Sequence, residues 1–240
     1  CGTAAAAFPG TNGRIVWGAR DTSGDSEIFS MAADGTGRLQ LTSNTAIEDS
    51  SPTVSPDGKQ VVFVSAEDGD NELFVMNVDG TGRTQVTANA VADTSPTFAS
   101  DGIRVAFVRS GEIVVRRLDT AVETTLTSGG GNTAPAWSPS GLRIAWEKGG
   151  DIWAMDADGT LPGALTTDGG GRGDTAPSWS PDSTQIVYRS YAGGSDEIRR
   201  MNADGSGQAQ IGTATGFEPA WSPDGTKILF LASGGSGPDL

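Results

Sequence analysis

The sequence predicts an all-β fold, a β-propeller of four-stranded antiparallel blades, six in number with the last blade incomplete. Three observations predict it. A unit of about 40–45 residues recurs along almost the whole chain, and each copy holds four short strand patterns separated by turn signals, the layout of a propeller blade. Glycine makes up 35 of the 240 residues, about twice the usual share of roughly 7%, which suits many tight turns. The glycines have no period of three, so the chain is not collagen-like, and no apolar run is long enough to span a bilayer. A chain of this length buries roughly 70–75% of its unfolded surface.

The first strand of each unit, the inner strand A, carries a proline and ends in a Pro-Asp-Gly-type turn. Its copies are Ser51-Pro52-Thr53-Val54-Ser55-Pro56-Asp57-Gly58 and Ser95-Pro96-Thr97-Phe98-Ala99-Ser100-Asp101-Gly102. They continue as Ala134-Pro135-Ala136-Trp137-Ser138-Pro139-Ser140-Gly141, Ala176-Pro177-Ser178-Trp179-Ser180-Pro181-Asp182-Ser183 and Glu218-Pro219-Ala220-Trp221-Ser222-Pro223-Asp224-Gly225. A worn copy occupies 8–13. The prolines at 52, 96, 135, 177 and 219 are spaced by 44, 39, 42 and 42 residues.

Strand B follows as a β-branched and aromatic run, such as Val61-Val62-Phe63, Ile144-Ala145-Trp146 or Ile228-Leu229-Phe230. Strand C is led by an acid: Glu27, Glu72, Glu112, Asp151 and Glu197. A hairpin turn comes next, Asp-Gly at 34–35, 79–80, 158–159 and 204–205, where both residues tolerate positive φ. Strand D closes the unit, as in Leu39-Gln40-Leu41-Thr42. The units run over about 9–42, 49–87, 93–127, 132–166, 174–212 and 217–240 within one propeller domain, 9–240, with residues 1–8 as a tether or closing strand.

The unit resembles the TolB-type, WD-like propeller repeat, whose mark is P-x-W-S-P-D-G followed by a strand, an acid-led strand and D-G. The resemblance covers nearly the whole chain. It implies a periplasmic or extracytoplasmic bacterial propeller used mainly for protein contacts. The start at Cys1 is similar to a mature bacterial lipoprotein, with Cys1 as the lipidated residue and the only link to a membrane; an extracellular location is the alternative.

Composition restricts the chemistry. There is no histidine and one cysteine, so Ser-His-Asp and Cys-His catalysis, histidine metal sites and an internal disulfide are all excluded. Sixteen bases against thirty acids give a net charge of −14. Such a chain repels phosphate, which argues against nucleic acid; basic partners and divalent cations are compatible with it, and most of the acids are expected to serve solubility.

Strand parity places the short A–B and C–D turns on one face and the variable B–C and D–A loops on the other, where function usually sits. That face is acidic. Asp49, Asp93, Asn132 and Asp174 each precede the inner-strand proline by three residues. A carboxylate set of Asp49, Asp93 and Asp174 near a channel mouth could hold a hard cation such as calcium, although repeat consensus more often serves the blade itself. Asp21-x-Ser23-x-Asp25-x-Glu27 and Asp68-x-Asp70-x-Glu72 look like the start of calcium loops but lack the later bidentate glutamate. Asp25, Glu27, Asp68, Asp70 and Glu72 are therefore expected as partner contacts. Arg189, Arg199 and Arg200, which depart from the repeat, join them.

Trp137, Trp179 and Trp221 share one slot with Val54 and Phe98, and Met31, Met76, Met155 and Met201 share another, with Arg116 the odd member. Both slots are expected to be core filling. The expected function is a non-enzymatic scaffold for a protein partner in the bacterial envelope, needing no cofactor, with calcium as a conceivable ligand. Two alternatives stand beside it: a self-assembling subunit whose unfinished blade is completed by a neighbouring chain, and an accessory propeller of a hydrolase or polysaccharide lyase.

Overall fold

The computed structural model describes residues 13–167, 173–192, 195–213 and 215–232, and the regular elements among them are all strands. They fall into two compact units, 13–130 and 131–232. Every sheet is antiparallel, with strands in chain order.

The first unit holds three sheets. One comprises β1 (Ile15–Arg20), β2 (Ser26–Met31) and β3 (Leu39–Gln40). The next comprises β4 (Asp49–Val54), β5 (Gln60–Ser65), β6 (Glu72–Asn77) and β7 (Thr84–Gln85). The third comprises β8 (Asp93–Phe98), β9 (Arg104–Arg109), β10 (Glu112–Arg117) and β11 (Glu123–Thr125). In the second unit come β12 (Asn132–Trp137), β13 (Arg143–Lys148), β14 (Asp151–Asp156) and β15 (Gly163–Ala164), then β16 (Asp174–Trp179), β17 (Gln185–Ala192), β18 (Ser195–Asn202) and β19 (Ala209–Gln210). A two-stranded sheet of β20 (Gly216–Trp221) and β21 (Ile228–Ala232) follows, matching the unfinished blade that the repeat predicted. The tether or closing strand at 1–8, Cys1 included, lies outside the described residues, as does most of the worn copy at 8–13.

Each inner strand contains a bulge that the sequence did not announce. The register slips between Ser50 and Thr53, Thr94 and Thr97, Thr133 and Ala136, Thr175 and Ser178, and Phe217 and Ala220. At every slip the residue before proline has a positive φ: Ser51 (51°), Ser95 (54°), Ala134 (48°), Ala176 (53°) and Glu218 (52°). Proline has no N–H to give to the ladder, and the bulge lifts it out of the pairing. The left-handed conformation costs a non-glycine residue roughly 1–2 kcal/mol, so five-fold recurrence marks a required bend.

The packing buries most of the two core slots, whereas Val54, Trp221 and Met31 are only half-buried. Trp137 and Trp179 are 0% and 1% exposed, and Met76, Met155 and Met201 are equally buried. Ile28 of one sheet packs with Val61, Phe63, Phe74 and Met76 of the next. In the second unit Ala136, Ala145, Ile152 and Ala154 pack with Trp179, Ile186, Tyr188 and Met201. The apolar layers therefore lie between neighbouring sheets, each large side chain contributing about 1.5–3 kcal/mol. Arg116 leaves the methionine pattern to pair with Glu123 at 2.6 Å.

The turns explain the repeated aspartates. Asp34, Asp79, Asp158 and Asp204 each accept the backbone N–H and the hydroxyl of the residue two further on, Thr36, Thr81, Thr160 and Ser206, at 2.6–3.0 Å. These are Asx turns. The glycine after Asp204 also allows a close approach between sheets. At Gly205 (φ +86°) a Cβ would stand 2.8 Å from the Leu165 carbonyl oxygen. Only glycine lets the turn lie against the neighbouring sheet.

Candidate functional site

The strand-C acids begin their strands but point inward. Glu27 and Glu72 are fully buried. Their burial is possible because a threonine just beyond strand D meets them. Thr42 donates to Glu27 at 2.5 Å and accepts the Ile28 N–H at 2.9 Å. Thr87 does the same for Glu72 and Leu73, and Thr127 for Glu112 and Ile113. In the fourth sheet Thr166 accepts the Ile152 N–H and lies 3.4 Å from Asp151. In the fifth sheet the matching residue is Gly212, so this latch is missing there. Burial raises the Glu72 carboxyl above its ordinary range; hydrogen bonds from Thr87 and Asn89 oppose the rise, and the neighbouring Asp93 adds to it.

Asparagines carry the network between sheets. Asn44 gives its backbone N–H to Glu27 and its side-chain amide to Asp49. Asn89 gives its N–H to Glu72 at 2.6 Å and its amide to Asp93 at 3.1 Å. Asp49 and Asp93 are both fully buried. Arg109 binds Asp93 through two hydrogen bonds and pairs with Glu123 at 2.6 Å. The Asp93 hydrogen bonds raise the arginine's pKa despite its burial. Arg83 lies 3.8 Å from Asp49 and 2.9 Å from Glu67, stacked over Phe63 and Phe74.

These contacts correct two expectations. Glu27 and Glu72 do not present their carboxylates to a partner, because the latch has turned them into the sheet. In the proposed cation set, Asp93 already meets a cation of the chain itself, a guanidinium. Asp49 shares an asparagine and faces a second arginine. Asp174, the member in the second unit, is 1% exposed at the start of β16, opposite Ser190.

The loops hold the accessible acids. Asp21 accepts the N–H groups of Ser23 and Gly24 and the Ser23 hydroxyl, and Asp25 accepts the Ala46 N–H at 2.9 Å. The first calcium-like pattern is thus spent on its own turn and on the connection at 42–46. The second differs. Carboxylate oxygens of Asp68, Asp70 and Glu72 lie within 4.8 Å of one another. Asp68 is exposed and accepts from Gln85, while Oδ2 of Asp70 is buried without a hydrogen bond. All-oxygen donors of this kind suit calcium or manganese rather than softer metals. Glu67, next to Asp68, is exposed, and so is Glu48 on the connection before β4.

In the second unit the three arginines part company. Arg189 pairs with Asp196 at 2.5 Å and lies over the Phe217 ring. Arg199 is mostly covered, 4.0 Å from Glu197. Arg200 is exposed. The sequence reading missed Thr42, Thr87, Asn44, Asn89, Arg83 and Arg109. The threonines carried a signal, since they recur at the end of strand D; the arginines and asparagines did not recur often enough.

A family model described as TolB beta propeller domain matches residues 2–146 and 108–237. Among curated protein sequences nothing matches. Among solved structures, TolB from Acinetobacter baumannii superposes with a TM-score of 0.81 at 20% identity, over 95% of this chain and 60% of that one. A TolB structure from Agrobacterium tumefaciens gives 0.69 at 20% identity, over 88% and 87%. An oligogalacturonate lyase in complex with manganese gives 0.74 at 16% identity, over 98% and 71%. The chain thus spans about 60% of the Acinetobacter protein's length.

Proposed function

Because the chain belongs to the TolB β-propeller family, we propose that it is a non-catalytic interaction module of the bacterial envelope that receives a basic protein partner on its acidic loops. One observation carries this reading. The acids that recur in the repeat are spent inside the sheets or on turns, whereas Glu48, Glu67 and Asp68 on the variable loops stay exposed, with Asp25 and Asp70 half-exposed beside them. Carboxylates on loops over a rigid scaffold raise encounter rates with positive surfaces and give a salt-dependent contact.

The test is parallel affinity capture from an envelope extract with the wild type and a Glu67→Gln/Asp68→Asn variant. A basic protein retained by the wild type, released by added salt and lost from the variant is expected. Equal retention by both overturns the assignment of the loop. The lyase likeness calls for a separate assay: incubation with oligogalacturonate and manganese, followed by ultraviolet absorbance for an unsaturated product. Turnover would replace the interaction reading with an enzymatic one.

A further inference from the structure

Two departures from the repeat and one donor without a hydrogen bond meet at one place in the second unit. Arg200 on β18 pairs with Val187, the register position that Ser30, Val75, Val115 and Ala154 occupy in the other sheets. Gly212 replaces the latch threonine. The indole N–H of Trp221 is buried without a hydrogen-bond partner, whereas Trp179 in the same slot donates to the Ala136 carbonyl at 3.1 Å. All three residues line a cavity of about 220 Å³ together with Gln210, Ile211 and Ile228. Among the described residues the Arg200 guanidinium makes no hydrogen bond or ion pair.

We propose that this cavity binds a small organic carboxylate. An unpaired guanidinium offers the charge and a planar pair of donors. The indole N–H itself is closed off from solvent, so the Trp221 ring meets the ligand as a wall and its N–H signal serves as the reporter. Ile211, Ile228 and the indole ring supply apolar walls for the ligand's body. The volume lies below the roughly 300–1,000 Å³ of drug-sized sites, which limits the ligand to about a single ring with its acid group. The cavity belongs to the second unit and the acidic loops to the first, so this site does not depend on the role of those loops.

The experiment is a titration with benzoate, read by the indole N–H signals of ¹⁵N-labelled protein. The chain has six tryptophans, and Trp221→Phe identifies the signal concerned. A saturable shift of that signal, half-complete at a concentration on the order of millimolar, is expected, with the other indole signals unmoved. Arg200→Gln, at an exposed position, is expected to weaken the response about tenfold or more while keeping the unliganded spectrum. Benzamide and inorganic phosphate test the two halves of the ligand separately. No saturable shift, an equal response to benzamide or phosphate, or unchanged affinity in Arg200→Gln each overturns the proposal.

Discussion

Arg109 holds Asp93 with two parallel hydrogen bonds, Nε to Oδ1 and Nη2 to Oδ2, both 2.7 Å long. The carboxylate is fully buried and the guanidinium mostly so. Removing one partner leaves the other charge uncompensated. Arg109→Gln should therefore cost about 3 kcal/mol in urea unfolding, and adding Asp93→Asn should recover part of that loss. A double variant as unstable as the sum of the singles would show that the two residues act separately.

Thr87 serves two groups at once, the Leu73 N–H and the Glu72 carboxylate. Thr87→Val keeps the shape and removes both bonds. A destabilisation of about 1–3 kcal/mol is expected, with faster amide exchange at Leu73 than in the wild type.

Ala176 sits at the inner-strand bulge with φ 53°. Glycine there relieves roughly 1–2 kcal/mol of backbone strain and adds roughly 0.5–1 kcal/mol of unfolded-state entropy. Ala176→Gly should leave stability unchanged or raise it by up to about 1 kcal/mol. Ala145→Gly, in a regular buried strand, should lower it; equal losses at both positions would contradict the strain argument.

Asp224 accepts from the Ser222 hydroxyl and from both the N–H and hydroxyl of Thr226, which lowers its pKa to about 2. A folded-state pKa below the unfolded value of 3.8 contributes stability that is present above the unfolded value and is lost as pH falls toward 2. Asp224→Asn should flatten the decline in melting temperature between about pH 4 and pH 2. Glu147 has the opposite sign, since burial raises its carboxyl above 4.5. Its contribution is present below the unfolded pKa and fades as pH rises through the folded one, so Glu147→Gln should raise the melting temperature at neutral pH relative to about pH 4.

The blade order, the turns and the tryptophan and methionine slots were legible because each repeats in phase, and repetition supplies within one chain what a single strand pattern lacks. The carboxylates were not. Glu27 and Asp93 read as solvated groups because an acid's burial depends on partners elsewhere, Thr42 in one case and Arg109 and Asn89 in the other. Those partners sit 15, 16 and 4 residues away, and no periodicity marks the arginine. The bulge was hidden for another reason. A proline in a strand signals an interrupted ladder, but which neighbour takes the left-handed conformation is decided by the pairing with strand B.

The asparagine bridges divide their parts unevenly along the chain. In both Glu27–Asn44–Asp49 and Glu72–Asn89–Asp93 the glutamate belongs to one sheet and the aspartate to the next, with the asparagine on the connection between them. A stretch of gene encoding one repeat, cut anywhere and inserted in tandem, would carry a whole coupling with it, because the half lost at one junction is regained at the other. Growth or shrinkage of such an array by unequal recombination thus needs no compensating change at the seams.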